Sequence, residues 1–256
     1  MKNPKTIDEL EFVDKEEKEF LKVVIYGKPG TGKTTFASTF PKPAILIDIG
    51  ENGYLGVKNT QGLEIVKVKD IDDIETLYWY LHDNKDRIKT VIIDTVSALQ
   101  DLALEEQRIA KNSKISKEHY GDFGTMTKKD WGEISSRLKS LITDYRDLDM
   151  NVVFIAHERV FNSEEEDVEG IDPSVGPRLM PSVSSTMNAA VDIVANTFIR
   201  EKKKDDKSIM QYCLRIGPHS YYITKVRKPR DYQIENVLVD ASYQDLAEIV
   251  KGDSNG

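Results

Sequence analysis

In "LKVVIYGKPGTGKTTF", residues 21–36, an apolar β-branched run ends on a glycine, turns through a glycine-rich segment and continues into a helix-forming stretch. The run 21–27 has the pattern of a short buried strand. Gly27, Lys28, Pro29, Gly30, Thr31, Gly32, Lys33 and Thr34 then fit the spacing G-x-x-x-x-G-K-[ST], with Thr35 following. The glycines let successive backbone N–H groups curl around an anion. Lys33 has the reach to meet β- and γ-phosphates, and the Thr34 hydroxyl has the chemistry to ligate Mg²⁺. A strand before and a helix after are the context this chemistry requires. Residues 27–35 are therefore expected to hold a nucleoside triphosphate with Mg²⁺.

On either side of that turn the periodicity keeps alternating. "AILID" (44–48), "LEIVKV" (63–68), "TVIID" (90–94) and "NVVFIAH" (151–157) read as strands. "IDDIETLYWYLHD" (71–83) places Ile71, Ile74, Leu77, Tyr78 and Leu81 on one helical face. A second helix is expected from about Ser97 to Lys111. A third is marked by Trp131, Ile134, Leu138, Leu141, Ile142 and Tyr145. Residues 112–129 read as a loop, and 158–182 as a long polar stretch with neither period. "VDIVANTFI" (191–199), "IMQYCLRI" (209–216) and "YYITKV" (221–226) look like antiparallel strands, and a helix is expected over 242–251. The alternation predicts an α/β fold with a central, mostly parallel sheet flanked by helices and antiparallel strands added at the C-terminal end. The expected limits are an acidic N-terminal arm (1–20), the core (21–240) and a short helix with a polar tail (241–256).

Composition narrows the setting. The chain has 256 residues, 39% hydrophobic and 31% charged, which suits an ordinary globular protein. Cys213 is the one cysteine, so no intramolecular disulfide can form and a reducing cytoplasm is the expected location. No apolar run approaches eighteen residues and "MKNPKTIDELEF" lacks an apolar signal region, so no membrane association is expected. A formal net charge of −8 weighs against constitutive nucleic-acid binding. Yet "ITKVRKPRDY" (223–232) gathers Lys225, Arg227, Lys228 and Arg230. A local patch of this kind can supply a field that the whole chain lacks.

The acidic side chains complete the site. "TVIID" ends on Asp94, placed to give the Mg²⁺ shell its second contact. The next residue is Thr95 rather than Glu, so the carboxylate that activates water must come from elsewhere. "ILIDIGENG" offers Glu51 and Asp48 at the C-terminal edge of the sheet, where open α/β folds bind ligands. A nucleotide kinase is the rival reading of the phosphate loop alone. It would need an arginine-rich lid, and the arginines before Arg200 are scattered singly.

The phosphate-loop strand, "ILIDIGENG", "TVIIDTVSAL" and "VVFIAHE" together resemble the RecA-like core of P-loop ATPases. "HYGDFGTMTKKDWGEI" and "VVFIAHERV" are most similar to its phage-encoded single-strand annealing and recombination type. The resemblance covers about residues 21–232. It implies a catalytic Glu after the strand that follows the phosphate-loop helix, matching Glu51, although I-D-x-x-E stands here where I-D-x-E is expected. It also implies that the "VVFIAH" strand lies between the phosphate-loop strand and the Asp94 strand, with His157 as a γ-phosphate sensor. Residues after His157 would form a DNA-binding loop, with Arg178 in its second half. Residues 117–129, with Tyr120, Phe123, Lys128 and Lys129, are the other candidate.

The resemblance gives the basic cluster a role as well. Lys225 and Arg227 match a K-x-R pair that reaches the γ-phosphate of a neighbouring subunit. Its rivals are a DNA groove and a solvated strand edge. The expected protein is thus a Mg²⁺-dependent ATPase that assembles as a ring or filament on single-stranded DNA and promotes annealing or strand exchange. Its partners would be other copies of itself, single-stranded DNA and a single-strand DNA-binding protein, in the host cytoplasm if the chain is phage-encoded. The alternative from another class is an ATP-dependent switch acting on a protein partner.

Overall fold

The alternation does become strand and helix in the computed structural model of the chain, which describes residues 20–112, 126–161, 174–204 and 207–252. In chain order the elements begin β1 (Lys22–Gly27), α1 (Lys33–Ala37), β2 (Ala44–Asp48), a short 3₁₀ turn (Gly53–Gly56) and β3 (Leu63–Lys67). Next come α2 (Ile71–Asp83), β4 (Thr90–Asp94), α3 (Val96–Asn112), α4 (Lys128–Arg146) and β5 (Asn151–Phe161). The chain continues through β6 (Ser174–Pro177), α5 (Pro181–Ala190), β7 (Ile193–Lys204) and β8 (Lys207–Arg215). It ends with β9 (Lys225–Val226), β10 (Val237–Val239) and α6 (Tyr243–Lys251). The expected acidic arm, Tyr120 and Phe123 lie outside the described residues.

The sheet runs in the order β10-β8-β7-β1-β5-β4-β2-β3. The strands from β3 to β7 in that order are mutually parallel, whereas β8 and β10 are added through antiparallel pairings, β8 to β7 and β10 to β8. The fold is therefore the expected one, a mostly parallel sheet with antiparallel strands at one end. β5 lies between β1 and β4, the place that the resemblance implied for it. Gly27 is paired with His157 on one side and Thr197 on the other, and Asp48 with Asp94. Parallel strands in this register bring those residues to one edge of the sheet.

Two apolar layers hold it. Helices α2, α3, α4 and α5 cover one face, burying Ile71, Leu99, Leu138 and Val183 against Val24 and Phe154. α1 and α6 cover the other, with Phe36, Phe40 and Leu246 against Ile25 and Ile155. Full burial of each such side chain is worth about 1.5–3 kcal/mol relative to exposure. α4 starts at a capping box, Thr127 with Asp130, that satisfies its first amides. This places Lys128 and Lys129 in a helical turn rather than in the expected loop. Trp131, read with the apolar stripe, is 43% exposed.

Three readings change. The stretch 158–182 is not without elements: β5 continues to Phe161, pairs with β6, and is followed by α5. Pro181 in its first turn and a small-polar composition conceal that helix, whose buried side is Val183, Ser184 and Met187. α5 is a crossover, so "VDIVANTFI" enters parallel to β1 and the parallel region runs one strand further. In "YYITKV" the pairing with β7 is confined to Lys225–Val226, and Tyr222 makes an isolated parallel bridge to Val175 of β6. The Tyr221 and Tyr222 amides donate to His219 Nδ1 instead of to a neighbouring strand.

Candidate active site

The phosphate loop follows β1 directly. Gly30 (φ 79°) and Gly32 (φ 86°) take left-handed conformations, and Gly32 caps α1. Gly27 is required for a different reason: a β-carbon there would lie 2.4 Å from Thr197 Oγ1 and 2.5 Å from the Thr197 carbonyl. Thr31 Oγ1 donates to the Lys28 carbonyl (2.8 Å) and lies 2.6 Å from Thr197 Oγ1, tying the loop to β7. Lys33 Nζ turns back into its own loop, donating to the carbonyls of Gly27 (3.0 Å) and Lys28 (2.8 Å). Burial lowers its pKa, while the carboxylates of Asp94 and Glu51 oppose that shift.

Beside it, Thr34 Oγ1 donates to Asp94 Oδ2 at 2.8 Å. Burial raises the Asp94 pKa, countered by the Thr34 bond and by Lys33 and reinforced by Glu51 and Asp48. Gly53 leaves a recess against this pair: a β-carbon there would come within 2.6 Å of Asp94 Oδ2 and 3.4 Å of Thr34 Oγ1. A hydroxyl and a carboxylate beside a phosphate loop are the hard oxygen donors that Mg²⁺ takes together with substrate phosphates. The residues fit the ion.

Glu51 stands at the same edge. Its Oε1 is 2.7 Å from His157 Nε2, and its Oε2 accepts from Thr95 Oγ1 at 3.2 Å. Both side chains reach solvent, at 34% exposure for Glu51 and 25% for His157. Asp48 does not: it is buried, with the Asn52 and Gly53 amides partly stabilising its charge. Burial raises its pKa. Of the two carboxylates, Glu51 is the one that a water in the cleft can reach.

The backbone of His157 is tied outward. Its N–H donates to Ser97 Oγ (3.0 Å), which donates to the Arg178 carbonyl (3.1 Å), and the Arg178 N–H returns to the His157 carbonyl (2.8 Å). The Arg178 guanidinium is paired with Asp101 (2.7 Å). Lys225 and Arg227 lie elsewhere, at the opposite end of the sheet. Lys225 Nζ donates to the carbonyls of Asn188, Ala189 and Val191 at the end of α5. Arg227 meets Asp192 Oδ1 (3.0 Å) and the Ala189 carbonyl (3.0 Å).

Thr95, Gly53, Thr197 and Tyr212 are site residues that the sequence did not single out. Thr95 had a signal, its place directly after Asp94. Thr197 and Tyr212 had none, because their approach depends on β7 and β8 lying beside β1. No described helix is long and apolar enough to cross a membrane.

Residues 19–228 match the family AAA_24, an AAA domain. No curated protein matches the chain. Among solved structures, the crystal structure of the flagellar accessory protein FlaH from Methanocaldococcus jannaschii is similar, with a TM-score of 0.41 and 12% identity over 87% of this chain and 90% of that one. The family match speaks to an ATPase domain and not to recombination.

Proposed function

The chain belongs to the AAA_24 family of AAA domains, and from that premise we propose an ATPase that assembles on single-stranded DNA to promote annealing or strand exchange. The observation that carries the hydrolytic part is Glu51, held at both oxygens by His157 and Thr95 beside the Thr34–Asp94 pair. Lys33 would leave the Gly27 and Lys28 carbonyls for the phosphates of ATP. Thr34 and Asp94 would hold Mg²⁺, which neutralises phosphate charge during transfer. Glu51 accepts the proton of the attacking water. The His157 Nε2 that meets Glu51 cannot donate to a phosphate oxygen at the same time, so nucleotide binding and release of the Glu51 carboxylate are linked through one nitrogen.

Assembly is supported by where the basic pair lies. Lys225 pairs with β7 at Val194, and β7 Ile193 is level with Val23, the far end of β1 from Gly27. Four residues of strand are about 13 Å, so neither side chain serves the phosphate site of its own chain. Lys225 is engaged by three carbonyls, whereas the Arg227 side chain is 55% exposed. Arg227 is therefore the member of the pair that we assign to a neighbour's γ-phosphate. A DNA role after His157 is supported by the ties from His157 through Ser97 to Arg178, which connect the sensor to the flanks of that segment.

Steady-state ATP hydrolysis across protein concentrations, with and without single-stranded DNA, tests this reading. Rate per chain should climb with both. Lys33→Ala should remove nucleotide binding, and Glu51→Gln should keep binding and lower kcat by about 10²–10⁴. Arg227→Ala should lower the assembled rate by about 10³ or more. Hydrolysis blind to concentration and DNA would leave an ATPase and remove the recombination and trans-arginine assignments.

A further inference from the structure

The phosphate loop occupies one end of a longer pocket of about 680 Å³, within the ~300–1,000 Å³ of small-ligand sites. From Lys33 and Thr34 it continues between α1, at Phe36 and Thr39, and the added strands, at Tyr212 and Asp240. Tyr212 lies against the phosphate loop: a β-carbon on Gly32 would meet its Cδ1 at 3.1 Å. Tyr212 is nevertheless 49% exposed and lines the pocket, so it offers aromatic surface to the open part. Asp240 is held beside it, since its N–H donates to the Tyr212 carbonyl (2.8 Å) and the preceding Val239 pairs with Cys213. Asp240 adopts φ 50°, a conformation that Asp and Asn tolerate.

Charge divides this pocket. Among its described lining residues, Lys33 and Asp240 are the charged ones, the cation at the phosphate end and the carboxylate on the far strands. β10 stands three strands from β1, about 14 Å across the sheet at the usual strand spacing. The pocket beyond the phosphate loop opens in that direction. A carboxylate only accepts hydrogen bonds, and the donor on the edge of adenine is its 6-amino group. Hypoxanthine replaces that group with an oxygen, which a carboxylate repels.

The geometry points to a base subsite in which the Tyr212 ring forms one wall and the Asp240 carboxylate accepts from the 6-amino group of adenine, so that the chain selects ATP. This deepens the ATPase reading and rests on it. Hypoxanthine and guanine both carry an N1–H donor and guanine a 2-amino donor as well, so GTP is the competitor that decides.

The test is displacement of a ribose-labelled fluorescent ADP, followed by anisotropy with Mg²⁺ present. In the wild type, ATP should displace the probe at about tenfold lower concentration than ITP or GTP. Asp240→Asn keeps the backbone conformation and offers an amide that can turn either way, so the ratio should fall to near one. Tyr212→Ala should weaken every nucleotide by about tenfold or more, and Tyr212→Phe should restore binding. Equal affinities in the wild type, tighter GTP binding, or variants that change nothing would overturn the subsite. If Lys33→Ala still abolished binding in those cases, the ATPase reading would stand alone. A wild type that binds no nucleotide would overturn both.

Discussion

Asp94 shows what burying a carboxylate costs a folded chain. Its carboxylate is buried next to Glu51 and Asp48, and burial is the main cause of its raised pKa. A carboxylate whose folded pKa lies above its unfolded value destabilises the fold once ionised, so this contribution worsens as pH rises. Asp94→Asn keeps an oxygen for the Thr34 hydroxyl and removes the charge. The nucleotide-free variant should be more stable by about 1 kcal/mol, or about 2–4 °C in melting temperature, and should lose Mg²⁺-dependent hydrolysis. A lower melting temperature than wild type would show that Asp94 is held for stability. Asp94 was legible in the sequence because an acid ends an apolar strand after a phosphate loop. The difference between Asp48 and Glu51 was not, because I-D-x-x-E places both near the edge, and only the fold shows Asp48 buried at the end of β2 and Glu51 open to solvent.

Among the elements that the sequence concealed, α5 is the one that explains Lys225. A helix end leaves carbonyls without partners, and a cation there answers both their hydrogen bonding and the helix dipole. Lys225 meets three backbone carbonyls in this way. Lys225→Ala should cost about 1–3 kcal/mol in urea unfolding, because those acceptors lose a charged donor. Arg227→Ala should change stability by less than about 1 kcal/mol, since the Arg227 side chain is itself 55% exposed and its ion pair is screened by solvent. If Arg227→Ala were the more damaging of the two for folding, the division of roles within the pair would be wrong. The resemblance implied one job for both side chains; both reach the end of α5, but Lys225 is engaged by three carbonyls whereas the Arg227 side chain stays 55% exposed.

At the scale of the whole molecule, the rear of the sheet is held by Lys22. Its Nζ donates to the carbonyls of Leu148 and Met150, and its N–H to Asp192 Oδ2, which joins β1 to the turns before β5 and β7. Burial lowers its pKa to about 8, against the pull of Asp192. The folded chain therefore releases this proton before the unfolded chain does. Below about pH 8 both states hold it and the burial cost is present. Between about pH 8 and 10 the unfolded state binds more protons, and stability should rise by on the order of 2 kcal/mol. Burial raises the Tyr26 and Tyr145 pKa values, so their opposite effect begins only above the ordinary tyrosine range. Lys22→Met should flatten the rise in chemical unfolding measured from pH 7.5 to 10. An unchanged slope would assign it to other groups.

From residues alone followed the phosphate loop, the order of the first strands and helices, and the acids and histidine at their ends. Each is a local statement, carried by a period of 2 or 3.6 residues or by glycine spacing that the backbone requires. What neighbours what across the sheet required the fold itself. Thr197 locking the phosphate loop, Tyr212 and Asp240 beyond it, His157 on Glu51, and Lys225 on the end of α5 all join residues far apart in the chain. Side-chain chemistry names the candidates, but strand order and register set the distances between them, and those depend on how the two apolar layers pack.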